Sequence, residues 1–137
     1  MPTPADRLAE ARTSGDPAVL RRLVDTGYPF VHQALAVNPR TPPDALARLA
    51  GARHGGWNDN LLLHLLAEQP AVVGPVLEAV LAAVADQLAA GERPYAAALA
   101  LAARADLPAE RVRALGSATG ASARLRRGLE RRLAARP

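Results

Sequence analysis

The sequence predicts an all-α fold of about eight or nine short helices in a single domain, 1–137, which the chain's internal similarity reads as a short helical-repeat solenoid. Three observations carry the all-α class. Alanine supplies 32 of the 137 residues and, with leucine, dominates the apolar half of the chain; these are the two strongest helix formers. Aromatic residues make up only 3%, so strand-favouring types other than valine are scarce. Helix start and stop signals also recur at close intervals along the whole chain.

Each element follows from those signals. A first helix at 4–12 opens at Pro4 and turns Leu8 inward. In Thr13-Ser14-Gly15-Asp16-Pro17, Asp16 is a cap and Pro17 the first helical residue of the next element, the positions where each type is favoured. That second helix sets Val19, Leu20, Leu23 and Val24 on one face and stops by Gly27. A third spans 29–37, with Phe30, Ala34, Leu35 and Val37 as its apolar residues. Asn38-Pro39-Arg40-Thr41-Pro42 then forces a turn, because proline drives its predecessor away from the helical region. Helix four covers 43–50, presents Leu46 and Leu49, and ends at Gly51.

The stretch 51–60, Gly-Ala-Arg-His-Gly-Gly-Trp-Asn-Asp-Asn, breaks the rhythm and reads as a loop. A leucine-rich helix follows at 59–68. The longest helix, 75–90, carries Val76, Leu77, Val80, Leu81, Val84 and Leu88 at helical spacing. The last third gives helices at 94–104, 108–116 and 122–135, the final one with Leu125, Leu129 and Leu133 four apart.

Composition excludes several chemistries. Without cysteine there is no disulfide framework, thiolate zinc site, cysteine-held iron–sulfur cluster or cysteine nucleophile. The first 30 residues carry Asp6, Glu10, Asp16 and Asp25 and lack a secretory apolar core. The apolar stretch 70–90 is interrupted by Glu78, Asp86 and Gln87, so no transmembrane helix is expected and the cytoplasm is the expected compartment. All 17 basic residues are arginine, which with abundant alanine, glycine and proline points to GC-rich bacterial coding. The net charge is +4 but unevenly placed: 122–137 holds six arginines against Glu130, a balance of +5, leaving residues 1–121 near −1.

The chain also shows weak self-similarity. Shifting 34–49 by 66 positions puts Ala34, Leu35 and Ala36 on Ala100, Leu101 and Ala102, Pro42 on Pro108 and Leu49 on Leu115. A shift of 31 puts Ala36 on Ala67, Pro39 on Pro70 and Leu46 on Leu77. Four units thus start near 8, 34, 65 and 100, each a short helix, a proline-containing turn and a second helix.

The string Ala36-Val37-Asn38-Pro39-Arg40-Thr41-Pro42-Pro43-Asp44-Ala45-Leu46-Ala47-Arg48-Leu49-Ala50 resembles the leucine-rich repeat variant family. The family's signature is an Asn-Pro-x-Thr-Pro turn followed by Leu-x-x-Leu-Ala. The resemblance implies a HEAT-like solenoid alternating an α-helix with a short 3-10 helix, and an interaction surface rather than a reaction. The other units lack the full turn, the long helix 75–90 departs from the pattern, and the cysteine-ligated cluster segment of some members is missing.

Candidate sites are few. The loop holds His54, Trp57, Asn58 and Asp59, with His64 beyond it. Histidine beside carboxylate suits acid–base or metal chemistry, but a ten-residue spacing has no ligand logic. The simpler expectation has Gly55-Gly56 as a turn, Trp57 packing as a staple, and Asn58 or Asp59 capping the leucine helix. His32 is expected on a helix surface or half-buried, and Tyr28 and Phe30 in the core or as staples. No phosphate-cradling glycine loop, nucleophile elbow or catalytic carboxylate pair is present, so no enzyme activity, cofactor or metal is expected.

These features point to a non-enzymatic module mediating protein–protein interaction. Its candidate partner-binding residues are Asn38, Arg40, His54, Trp57 and Asp59, in the turn 38–43 and the loop 51–60. The alternative is a nucleic-acid-binding repeat protein that contacts phosphates through Arg124, Arg126, Arg127, Arg131 and Arg132. Against it stands 122–137 as a basic terminal capping helix, since solenoid ends need a polar outer face.

Overall fold

Proline marks where most of the helices begin. It occupies the first turn of α1 (Pro4–Thr13), α2 (Pro17–Val24), α3 (Pro29–Val37), α4 (Pro43–Ala50) and α6 (Gly74–Ala89), where its missing N–H leaves no bond unmade. The others are α5 (Gly56–Glu68), α7 (Tyr95–Ala102), α8 (Ala109–Leu115) and α9 (Ala123–Ala134). The computed structural model describes residues 2–137, and among them there are these nine helices and no strand. Side-chain caps finish three of the starts. Thr3 and Asp6 form a capping box, Asp16 accepts from Ala18 N at 3.0 Å, and Ser122 accepts from Leu125 N at 3.0 Å.

The helices pack as two rows. The odd-numbered ones touch in order, α1 to α3 to α5 to α7 to α9, and the even-numbered ones likewise, α2 to α4 to α6 to α8. Leucines fill the space between, with Leu20, Leu35, Leu46, Leu49, Leu62, Leu63, Leu66, Leu88 and Leu101 fully buried; each contributes about 1.5–3 kcal/mol. The stripe predicted on the long helix is all interior: Val76, Leu77, Val80, Leu81, Val84 and Leu88 are buried. Alanine lets α7 lie close against α5, with Ala97, Ala98 and Ala102 buried.

A polar ladder ties the C-terminal ends of the odd-numbered helices. The last carbonyls of any helix lack intrahelical donors, and here the next odd-numbered helix supplies them. Asn38, after α3, donates its amide to Ala11 O and Ser14 O at 2.9 and 3.0 Å. Gln69, after α5, donates to Ala36 O at 2.9 Å. Arg104, after α7, donates to Ala67 O, Gln69 O and Val72 O. Arg136, after α9, donates to Ala102 O and Leu107 O. The odd-numbered helices therefore run parallel, with their ends in register.

Two details differ from expectation. Helix α5 begins at Gly56, not 59, so Trp57, Asn58 and Asp59 are helical. Gly55 turns the chain at φ 110°, a conformation glycine adopts without strain. Asp59 then reaches back to His54 N and Gly55 N at 2.6 and 3.3 Å. The even-numbered helices are α-helical, and no 3-10 helix is present among the described residues. Nor, among them, is any helix long and apolar enough to cross a membrane.

Candidate functional site

The segment 51–55 is held in place by an imidazole pair. His32 lies in α3 and is 4% exposed, more deeply buried than the surface or half-buried position expected for it. Its Nε2 stands 2.7 Å from Val24 O and its Nδ1 2.8 Å from His54 Nε2. A carbonyl only accepts, so His32 Nε2 carries the proton and His54 Nε2 donates to the Nδ1 lone pair. Burial pushes the His32 pKa down, partly opposed by the hydrogen bond to Val24 O. The two rings meet edge-on, with centroids 4.8 Å apart. Asp59 is buried and bonds the backbone at His54, not its ring. His64 pairs instead with Glu68 one turn on, at 3.1 Å. The residues weighed for acid–base chemistry are thus divided between a structural clasp and a half-buried histidine paired with an exposed glutamate. Among the described residues no three histidine or acidic side chains gather to hold a metal.

The Asn-Pro-x-Thr-Pro turn is structural as well. Asn38 is 5% exposed, and its amide is taken up by the end of α1. Its Oδ1 accepts from Arg40 N at 2.9 Å, and Thr41 donates its hydroxyl to Leu35 O at 2.7 Å. Asn38 therefore presents nothing to a partner. Arg40 remains exposed beside it, with its side chain over Gly15.

What the molecule does present is the outer side of the odd-numbered row. Trp57, expected to staple, is 73% exposed, because the early start of α5 points it away from the core. Leu61 and Leu65, half-buried, follow it at four-residue steps. On α3, Phe30 and Val37 are exposed. Tyr28 and Phe30 do not enter the core either; their rings stack on one another 5.4 Å apart. The faces of α3 and α5 adjoin: Gln33 donates to Asn58 Oδ1 at 3.2 Å, and Val37 lines a shallow groove with Leu65 and Pro70. The surface continues onto α7, where His64 and Glu68 border Ala96, Leu99, Ala100 and Ala103.

The C-terminal arginines divide. Arg126 donates to Gly116 O and Ala121 O and Arg136 belongs to the ladder, so both are structural. Arg124, Arg127, Arg131 and Arg132 are exposed on α9, and their guanidiniums make no hydrogen bond or ion pair with any described residue. The carboxylate of that helix, Glu130, is taken by Arg113 at 2.8 Å. No protein-family model, curated protein or solved structure matches the chain.

Proposed function

We propose that the chain is a non-enzymatic module of helical repeats that binds another protein through the outer side of α3, α5 and α7. Trp57 carries the reading. The chain's one tryptophan is 73% exposed on α5, with the exposed Phe30 and Val37 and the half-buried Leu61 and Leu65 on adjoining surface. Single exposed apolar residues are ordinary, whereas an adjoining set with aromatic anchors is the make-up of a docking face. The repeat reading draws support from the two parallel rows and from Asn38, Gln69 and Arg104, which make the same kind of bond at offsets of 31 and 66. It also accords with the resemblance to leucine-rich repeat variant proteins and with a cytoplasmic, bacterial setting.

The test is affinity capture from the lysate of a GC-rich bacterium, with and without nuclease, using the wild-type chain and Trp57→Ser/Val37→Ser. A protein retained after nuclease and lost by the variant supports the reading. Nucleic acid recovered by both chains and removed by nuclease overturns it in favour of the exposed α9 arginines.

A further inference from the structure

We propose that the groove between α7 and α9 binds an acidic segment of a protein partner, taking its carboxylates on Arg93, Arg124 and Arg131 and an apolar side chain on the floor between them. The proposal rests on the interaction-module reading and gives that partner's chemistry.

The groove holds about 610 Å³ and is lined by the three arginines with Tyr95, Leu99, Leu125 and Gly128. Most other arginines are occupied. Arg21, Arg48, Arg104, Arg111 and Arg113 pair with carboxylates, and Arg53, Arg126 and Arg136 bond backbone carbonyls. The side chains of Arg93, Arg124 and Arg131 are exposed, and their guanidiniums bond no described residue. Arg124, Gly128 and Arg131 share one side of α9, and Arg93 faces them from the segment before α7. Three unneutralised guanidiniums around one concavity set a field that carboxylates satisfy with bidentate, charge-assisted bonds.

The framework reinforces that charge. Tyr95 donates its hydroxyl to Gly120 O at 2.9 Å, which holds the starts of α7 and α9 side by side. Two helix N-termini thus turn their positive ends toward the same region. At Gly128 a Cβ would stand only 2.9 Å from Leu99 Cδ2, so glycine lets α9 close on α7 and leaves the half-buried Leu99 as the floor, backed from below by the buried Leu125. A basic rim with an apolar floor matches a protein segment that mixes Asp or Glu with Leu, Ile or Val. Bare phosphodiester would leave the floor unused. Base stacking needs an open ring, but Tyr95 is half-buried with its hydroxyl committed, and Tyr28, Phe30 and Trp57 line no wall of this groove.

The test is fluorescence anisotropy with a labelled peptide of Glu-Glu-Leu repeats, its Gln-for-Glu counterpart, and a single-stranded oligonucleotide, at low and physiological salt. The proteins are the wild-type chain, Arg93→Gln/Arg124→Gln/Arg131→Gln, and the equally charged control Arg12→Gln/Arg22→Gln/Arg127→Gln, each checked for helicity. The acidic peptide should lose about tenfold or more in affinity with the groove variant and under twofold with the control. The Gln peptide should bind the wild-type chain as weakly as the acidic peptide binds the groove variant. Charge reversal, Arg124→Glu/Arg131→Glu, should confer affinity for a Lys-Lys-Leu peptide. Equal losses in both triple variants, no binding to the wild-type chain, or tighter groove-dependent binding of the oligonucleotide would overturn the proposal. Capture distinguishes this from failure of the broader reading: a partner kept by the groove variant but lost by Trp57→Ser/Val37→Ser removes the groove alone.

Discussion

Replacing Asn38 by alanine tests whether the Asn-Pro-x-Thr-Pro turn is a rivet or a recognition element. Asn38 is 5% exposed and makes three bonds, donating to Ala11 O and Ser14 O and accepting from Arg40 N. Ala11 is fully buried, so truncation strands its carbonyl away from water at about 1–3 kcal/mol. Ser14 and Arg40 are partly solvated and recover part of their loss, which brings the whole to about 2–4 kcal/mol. Against a total stability of about 5–15 kcal/mol the effect is easily read. Urea denaturation followed by circular dichroism should show the midpoint falling with little change in its slope. Asn38→Asp should be at least as damaging, since a carboxylate would face two carbonyls with no proton to donate. Partner capture below the variant's unfolding range should survive. A loss under about 0.5 kcal/mol, or abolished capture by a chain that remains folded, would refute the ladder account.

Other expectations follow from single contacts. The lowered His32 pKa means the unfolded chain binds a proton there more readily. The contribution of neutral His32 is therefore complete above the ordinary histidine pKa of about 6.5 and is lost as pH falls below it. Tm should decline between pH 8 and mildly acid pH, and His32→Gln, which keeps a donor for Val24 O, should flatten that slope; an unaltered slope would contradict it. At Gly120 the N–H donates to Leu88 O at 2.9 Å, and a Cβ would collide with that same carbonyl. Gly120→Ala should accordingly destabilise by about 1–3 kcal/mol in thermal melts, whereas an unchanged Tm would show that the two segments can part freely. Arg113→Ala breaks a fully exposed pair with Glu130, and its Tm should barely move; a large drop would mean the pair anchors α9.

The helices were legible in the sequence because their signals are local. Pro17, Pro29 and Pro43 open α2, α3 and α4 where expected, and the periodic residues of α6 are interior. The error at α5 has a local cause too. Gly55-Gly56 reads as loop, and only the side chain of Asp59, reaching back four and five residues to Gly55 N and His54 N, turns Gly-Trp-Asn into a helical first turn. That shift exposes Trp57. The imidazole clasp was beyond reach because His32 and His54 are 22 residues apart and meet only through packing. The ladder left a faint trace: offsets of 31 and 66 place Gln69 and Arg104 on Asn38. Three different residue types occupy one role, however, and similarity of residues does not reveal similarity of bonds.

The docking face is tested most directly by the tryptophan that defines it. Quenching of Trp57 fluorescence by acrylamide, before and after addition of the captured protein partner, reports this one position, since the chain has no other tryptophan. With a tryptophan-free partner, or one whose own signal is subtracted, the indole should be freely quenched in the isolated chain. It should become protected and blue-shifted in the complex. A saturated complex in which Trp57 stays as open to quencher as before would contradict the claim that the outer side of α3, α5 and α7 receives the partner.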